Sequence, residues 1–372
     1  MGGSAAMTTK LLNLFSFGKS ELSQDALLCW MAALALSGDP QLAAVGKHFL
    51  AWLWSSAGRG SVNPDQVSLV RRPETQVERV DVLLHAEVAG KPVTFLIEDK
   101  TGTSHHSGQL GRYRDAVEKR LPAVVPIYFK TGYHFGEDVR AASHGYAVIG
   151  LEAWVQFLGS LDVKNDILSD YREHVSWILQ ERQETQRTLW TSRGFEMLNK
   201  DYAQFELMGL VQHGCSALKP GGATVLRHGT NVGGAPWTQL AFGVLDEHLP
   251  GKIGEALFHR VDKRNVAKGK SGYYLSTRQY ALVKGNVEAK KAKVARLRQH
   301  REAFREAVKD AGSSLVFGEP AADHQGANES EIGVLFFDDS TNTTQAVRDL
   351  FPRVHEAFVK RLRAGSRTAP ER

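Results

Sequence analysis

The stretch "ERVDVLLHAEVAGKPVTFLIEDKTGTSHHSGQLGRYRDAV", residues 78–117, decides how the first half of the chain folds. Its segment "VTFLIEDK" is short, apolar and rich in β-branched and aromatic residues, which predicts a strand. That strand ends abruptly in Glu98, Asp99 and Lys100. A two-residue turn at Gly90-Lys91 would make Ala89 face Pro92, Leu83 face Glu98 and Asp81 face Lys100. Side chains alternate with period two, so this register puts Asp81, Glu98 and Lys100 on one side of the sheet and Asp99 on the other. One extra residue in the turn would exchange Asp99 for its neighbours.

Asp81 interrupts "VERVDVLL" and Glu98 directly follows "VTFLI", positions whose apolar neighbours demand burial. Buried charges need partners or a metal. Two carboxylates converging at a strand end suit a hard divalent cation, Mg2+ or Mn2+, which prefers oxygen donors. A lysine beside them can orient an attacking water and offset negative charge building on a phosphate. The plain alternative is a salt-bridge ladder at an exposed strand end, worth less than about 1 kcal/mol.

Working outward, helical spacing predicts helices over residues 20–37 and 40–58, the first ended by Asp39-Pro40. One or two extended segments are expected within 67–88, a helix over 107–121, strands over 123–132 and 146–152, and a helix over 152–161. This alternation implies an α/β layer, a mixed sheet flanked by helices. A long polar helix over 167–186 closes or leaves the unit. In the second half, strands are expected at 236–245, 255–262, 272–282, 314–319 and 331–337, with helices over 286–311 and 343–364. The expected organisation is a flexible leader or non-native remnant at 1–10, a first domain at 11–165, a connecting helix at 166–190 and an α+β domain at 191–372.

The order of these elements resembles the PD-(D/E)XK nuclease superfamily, and most closely its restriction-endonuclease-like members with "IExK" followed by a helix carrying Q-L-x-x-Y. Here those motifs stand as Ile97-Glu98-Asp99-Lys100 and Gln109-Leu110-Gly111-Arg112-Tyr113. The resemblance covers about the first 160 residues; Val80 stands where the superfamily name has Pro. It implies that Asp81 and Glu98 hold the metal, that Lys100 assists the nucleophilic water, and that Gln109, Arg112 and Tyr113 reach the metal site or the nucleic acid. Gln109 and Tyr113, four apart, share a helix face. The family often adds an acid from the first helix; Glu21 is the favoured match and Asp25 its competitor, while either would also suit a helix first turn. The implied activity is metal-dependent phosphodiester hydrolysis, with DNA favoured over RNA and a restriction or phage-defence role by analogy. A nuclease fold that has lost activity and only binds nucleic acid is the alternative.

Composition is compatible with this. The chain has 372 residues, a formal net charge of +5 and a pI near 9.1, which leans towards a polyanionic partner. Its two cysteines, Cys29 and Cys215, have no zinc-ligand spacing, no apolar run reaches membrane-spanning length, and a cytoplasmic protein is expected. In "HRVDKRNVAKGKSGYYLSTRQY", Arg260, Lys263, Arg264, Lys268 and Lys270 are interleaved with Tyr273, Tyr274 and Tyr280. The next helix adds Lys290, Lys291, Lys293, Arg296, Arg298 and Arg301. Cations that neutralise phosphates beside rings that stack on bases suggest a nucleic-acid groove; a solvated basic face is the alternative. His105-His106 reads as solvated loop, Asp338-Asp339 as a turn and helix cap, and the glycines of 219–236 match no nucleotide-binding fingerprint. A homodimer would place two such sites for two strands.

Overall fold

The structure, a computed structural model, describes residues 13, 15, 21–77, 79–101, 109–121, 123–132, 141–215, 225–231, 233–242, 248–266, 270–322, 327–338 and 341–366. Two compact units divide the chain, Met1–Glu181 and Arg182–Arg372.

The first unit comprises α1 (Glu21–Ala33), α2 (Pro40–Ser56), β1 (Val67–Leu69), β2 (Glu74–Val77), β3 (Val80–Val88), β4 (Lys91–Lys100), α3 (Gln109–Glu118), β5 (Val124–Lys130), β6 (Ala147–Gly150), α4 (Leu151–Gly159) and the start of α5 (Asp166–Leu189). Its six strands form one mixed sheet in the order β1-β3-β4-β5-β6, with β2 also paired to β3. The β3–β4 hairpin is antiparallel, whereas β4, β5 and β6 run parallel. Residues 67–88 therefore hold three strands where one or two were expected. The helix expected over 20–37 stops at Ala33 and tightens into a 3-10 turn, Leu34–Leu36. Asp39 then caps α2, its carboxylate accepting from the backbone N–H groups of Gln41 and Leu42 at 2.8 and 3.3 Å, with Pro40 preset for the first turn.

Alternation along the strands gives the sheet two different faces. Val82, Leu84, Phe95, Ile97, Ile127 and Phe129 pack with α1, α2, α4 and α5. On that side Trp52 stacks on Phe157 at 4.5 Å, and Trp154 meets Phe129 edge-on at 5.2 Å. Leu83, Leu96 and Tyr128 point the other way and are covered by Leu110 and Val117 of α3. Tyr146 fixes that helix by donating its hydroxyl to the Leu110 carbonyl at 3.0 Å, and Arg114 of α3 donates to the His144 carbonyl at 2.9 Å.

The second unit contains α6 (Asp201–Gly214), β7 (Val225–Thr230), β8 (Pro236–Phe242), β9 (Ala256–Val266), β10 (Lys270–Tyr280), α7 (Val287–Asp310), β11 (Glu329–Phe336) and α8 (Thr344–Ser366). Its sheet is antiparallel throughout, in the order β11-β10-β9-β8-β7. The strand expected over 314–319 does not form. Only a single bridge links Gly318 to Val334, because the Asn342 side chain takes both the N–H and the carbonyl of Val316. Two elements were not anticipated: α6, whose Ala203, Leu207, Met208 and Val211 enter the core, and β7, whose sequence "VLRHGT" lacks clean alternation. Among the described residues no helix is long and apolar enough to cross a membrane.

The approach of α2 to the 3-10 turn requires a glycine at position 46. A Cβ added at Gly46 of α2 would lie 2.0 Å from the Ala35 backbone nitrogen and 2.7 Å from the Leu34 carbonyl carbon. Alanine gains about 1 kcal/mol of helix propensity over glycine. Overlap with backbone cannot be relieved by a rotamer change and costs about 1–3 kcal/mol or more. Gly46→Ala is therefore expected to lower the melting temperature of the first unit; a rise would show that α2 can withdraw from the 3-10 turn freely.

Candidate active site

The β3–β4 turn that sets the register is Ala89-Gly90, not Gly90-Lys91. Both residues take the left-handed conformation, φ 49° and 76°, as a tight hairpin turn with the twist of its strands requires. Val88 consequently faces Lys91 and Val82 faces Ile97, a register that continues to place Asp81 opposite Glu98 instead of Lys100. Moving a two-residue turn by one position slides the pairing by two residues. Every side chain keeps its face, and Asp81, Glu98 and Lys100 converge.

Their contacts are direct. The Lys100 ammonium lies 2.9 Å from Asp81 Oδ2 and 2.9 Å from Glu98 Oε1, and donates a third bond to the Asp99 carbonyl at 2.7 Å. Asp81 Oδ2 also accepts from the Asp99 backbone N–H at 2.9 Å, and its Oδ1 accepts from Gln76 Nε2 at 3.2 Å. Gln76 and Arg79, which flank the entry to β3, have φ of 58° and 68°, strain that non-glycine residues adopt only when their surroundings hold them there. Glu98 is fully buried, and the side chains of Lys100 and Asp81 are 8% and 15% exposed. Burial pulls the Lys100 pKa down, but the Glu98 charge and the Asp81 hydrogen bond outweigh it and raise the value overall, so the ammonium is retained.

The parallel neighbour adds a residue that sequence reasoning passed over. Lys100 of β4 is in register with Lys130, the last residue of β5, and paired residues share a face. Lys130 is 2% exposed, so a second lysine is buried one strand from the first. Nothing local marks it, since the helix and loop between the two strands decide which residue becomes the neighbour.

Asp99 points to the opposite face. Gln24 of α1 donates to Asp99 Oδ1 at 2.5 Å and accepts from Thr131 Oγ1 at 2.9 Å. Tyr171 reaches the same Gln24 oxygen at 3.4 Å and takes the Trp154 indole N–H at 3.1 Å. Asp25 faces Asp99 both as a like charge and as a hydrogen-bond partner, and both residues are buried. Asp25, the alternative acid of the first helix, thus sits behind the sheet. Burial first, and then the Asp25 charge, raise the Asp99 pKa well above the ordinary carboxyl value. Asp99, whose side chain points away from the trio, contributes to the site through its backbone: its N–H holds Asp81 and its carbonyl holds Lys100.

The remaining expected site residues are placed as follows. Glu21 and Gln109 are the first residues of α1 and α3, but their side chains lie outside the described ones. Tyr113 packs against the Leu110 and Val117 cluster, and Arg112 is exposed. His105, His106 and Lys268 lie outside the described residues, as do the side chains of Arg264 and Lys270, while Lys263 is exposed with its ammonium 6.0 Å above the Tyr273 ring. The groove expected on α7 loses much of its charge to internal bonds. Lys293 is buried and donates to the Ala327 carbonyl and Ser330, Arg296 pairs with Glu255 at 2.8 Å, and Arg301 donates to the Glu331 and Ala321 carbonyls. Tyr274 is buried against Arg278, and Arg260 pairs with Asp262 while lying 4.7 Å over Trp237.

Among the described residues no three His, Cys, Asp or Glu side chains gather as a metal group. The oxygens around the Lys100 ammonium nevertheless form a hard donor set: two carboxylates from neighbouring strands and one main-chain carbonyl.

The raised Asp99 pKa has a consequence for stability. Neutral Asp99 stabilises the fold fully below about pH 4, its ordinary range, and that contribution is lost as pH rises towards the folded-state value. Asp99→Asn mimics the neutral acid, so its melting temperature is expected to exceed the parent's increasingly from pH 5 to 9. An equal loss of stability across that range would show Asp99 to be ionised in the fold.

No protein-family model matches the chain, and no curated protein or solved structure matches it either, so the reading of this site rests on its own residues.

Proposed function

We propose that the first unit is a divalent-metal-dependent nuclease of the restriction-endonuclease-like kind, and that Asp81, Glu98 and Lys100 are its catalytic residues. One observation carries this reading: three oxygens from β3 and β4 meet at a lysine ammonium at the carboxyl end of β4, beside the parallel strand β5. In open α/β sheets, ligands bind at the carboxyl ends of the parallel strands, where Lys100 and Lys130 both stand.

Asp81 and Glu98, with the Asp99 carbonyl, would hold Mg2+ or Mn2+. When bound, such an ion supplies Lewis-acid stabilisation of the phosphate and lowers the pKa of water at the site. Lys100 would orient the attacking water and offset charge that builds on the non-bridging phosphate oxygens. Gln76 and the Asp99 N–H keep the Asp81 carboxylate oriented, so that its geometry is set before substrate arrives. Nucleic acid is the proposed substrate, with DNA favoured by the resemblance.

The purified chain should cut plasmid, single-stranded DNA or RNA in the presence of Mg2+ or Mn2+ and stop in EDTA. Asp81→Asn, Glu98→Gln and Lys100→Met should each lower cleavage by about a hundredfold or more. Salt-sensitive binding without cutting would favour the binding-only alternative. Neither cutting nor binding would reduce the trio to a structural ion cluster.

A further inference from the structure

The Lys100 ammonium has three N–H bonds, and three oxygens accept them: Asp81 Oδ2 at 2.9 Å, Glu98 Oε1 at 2.9 Å and the Asp99 carbonyl at 2.7 Å. The same three oxygens are the ones through which both carboxylates and the main chain converge on one point at this strand end; of the second carboxylate oxygens, Asp81 Oδ1 is turned to Gln76. Mg2+ holds oxygen at about 2.0–2.1 Å. A cation drawing on these oxygens would therefore stand almost where the ammonium nitrogen stands, and two positive centres cannot share that position.

We propose that Lys100 and a divalent cation exclude one another from this cage, so that metal entry drives the lysine ammonium out of it. The inference rests on the metal-dependent reading above. In the metal-free protein the lysine neutralises two buried carboxylates that would otherwise repel each other and lack solvation. Its flexible four-carbon stem lets the charge leave without moving the strand. The displaced ammonium then faces whatever occupies the mouth of the site, and its role changes from counter-ion to phosphate contact. Linkage makes the effect reciprocal: whatever free energy the ammonium gains in the cage is subtracted from metal affinity.

The test is Mn2+ binding to the full chain, read by the electron paramagnetic resonance of free Mn2+, with no substrate present. Lys100→Met keeps the length of the side chain and removes the competitor. It is expected to bind Mn2+ about tenfold or more tightly than the parent, as loss of a close charge pair implies, and Asp81→Asn should abolish binding in both backgrounds. Equal or weaker binding by Lys100→Met, with Asp81→Asn still abolishing it, would overturn the exclusion and leave the metal reading intact. No binding by either protein above the Asp81→Asn background would overturn both. A measurement on the unaltered chain covers the case in which Lys100→Met does not fold. Acetylation of Lys100 by acetic anhydride, followed by mass spectrometry, should accelerate on addition of Mg2+ but not of NaCl at matched ionic strength. An unchanged rate at saturating Mg2+ would show the lysine still caged.

Discussion

The attraction between the Lys100 ammonium and two carboxylates with little access to water organises the end of the first unit's sheet. Glu98 has no exposed side-chain surface, and Lys100 and Asp81 have little. Exposed ion pairs contribute about 0–1 kcal/mol, but breaking a buried pair by removing one partner costs about 3–5 kcal/mol, because the remaining charge has neither solvent nor counter-ion. The left-handed Arg79 before β3 and the parallel approach of β5 meet around that constraint, while the hairpin turn at the far end of β3 and β4 sets the register that brings the trio together.

Asp99 ties the two faces of the sheet together. Its backbone N–H and carbonyl hold Asp81 and Lys100 on one side, while its carboxyl is gripped by Gln24 on the other. Through Gln24 the strand end is linked to α1, and through Thr131, Tyr171 and Trp154 to the loop after β5, α5 and α4. A peptide plane is stiff, so anchoring a side chain from behind restrains the amide groups beside it. Side-chain alternation therefore separates Asp99 from the trio without making it irrelevant to their geometry.

The second unit shows why a basic run cannot be converted directly into a binding surface. Lys293, Arg296 and Arg301 stand on one helix, yet each is bonded to groups of its own unit. Arg260 and Arg278 are similarly engaged with Asp262 and Glu329. Long basic side chains can bury their stems and spend their charged heads on nearby carbonyls and carboxylates. Charge that is already paired adds little to the attraction of a polyanion. Lys263, exposed where β9 extends past the last residue it pairs with β8, instead carries its ammonium over the Tyr273 ring.

Sequence by itself determined that an α/β layer opens the chain and that Asp81, Glu98 and Lys100 share a face. Alternation with period two is a local property of extended backbone, and a one-position error in a two-residue turn preserves its parity. The capped start of α2 was equally local, carried by Asp39-Pro40. Tertiary structure alone decided that Lys130 stands beside Lys100, that Gln24 and Asp25 meet Asp99, and that an asparagine side chain replaces a strand ladder at Val316. Each of those contacts joins residues far apart in the chain, or depends on which element covers which face. Such contacts are selected by the packing of the whole unit, which no window of sequence contains.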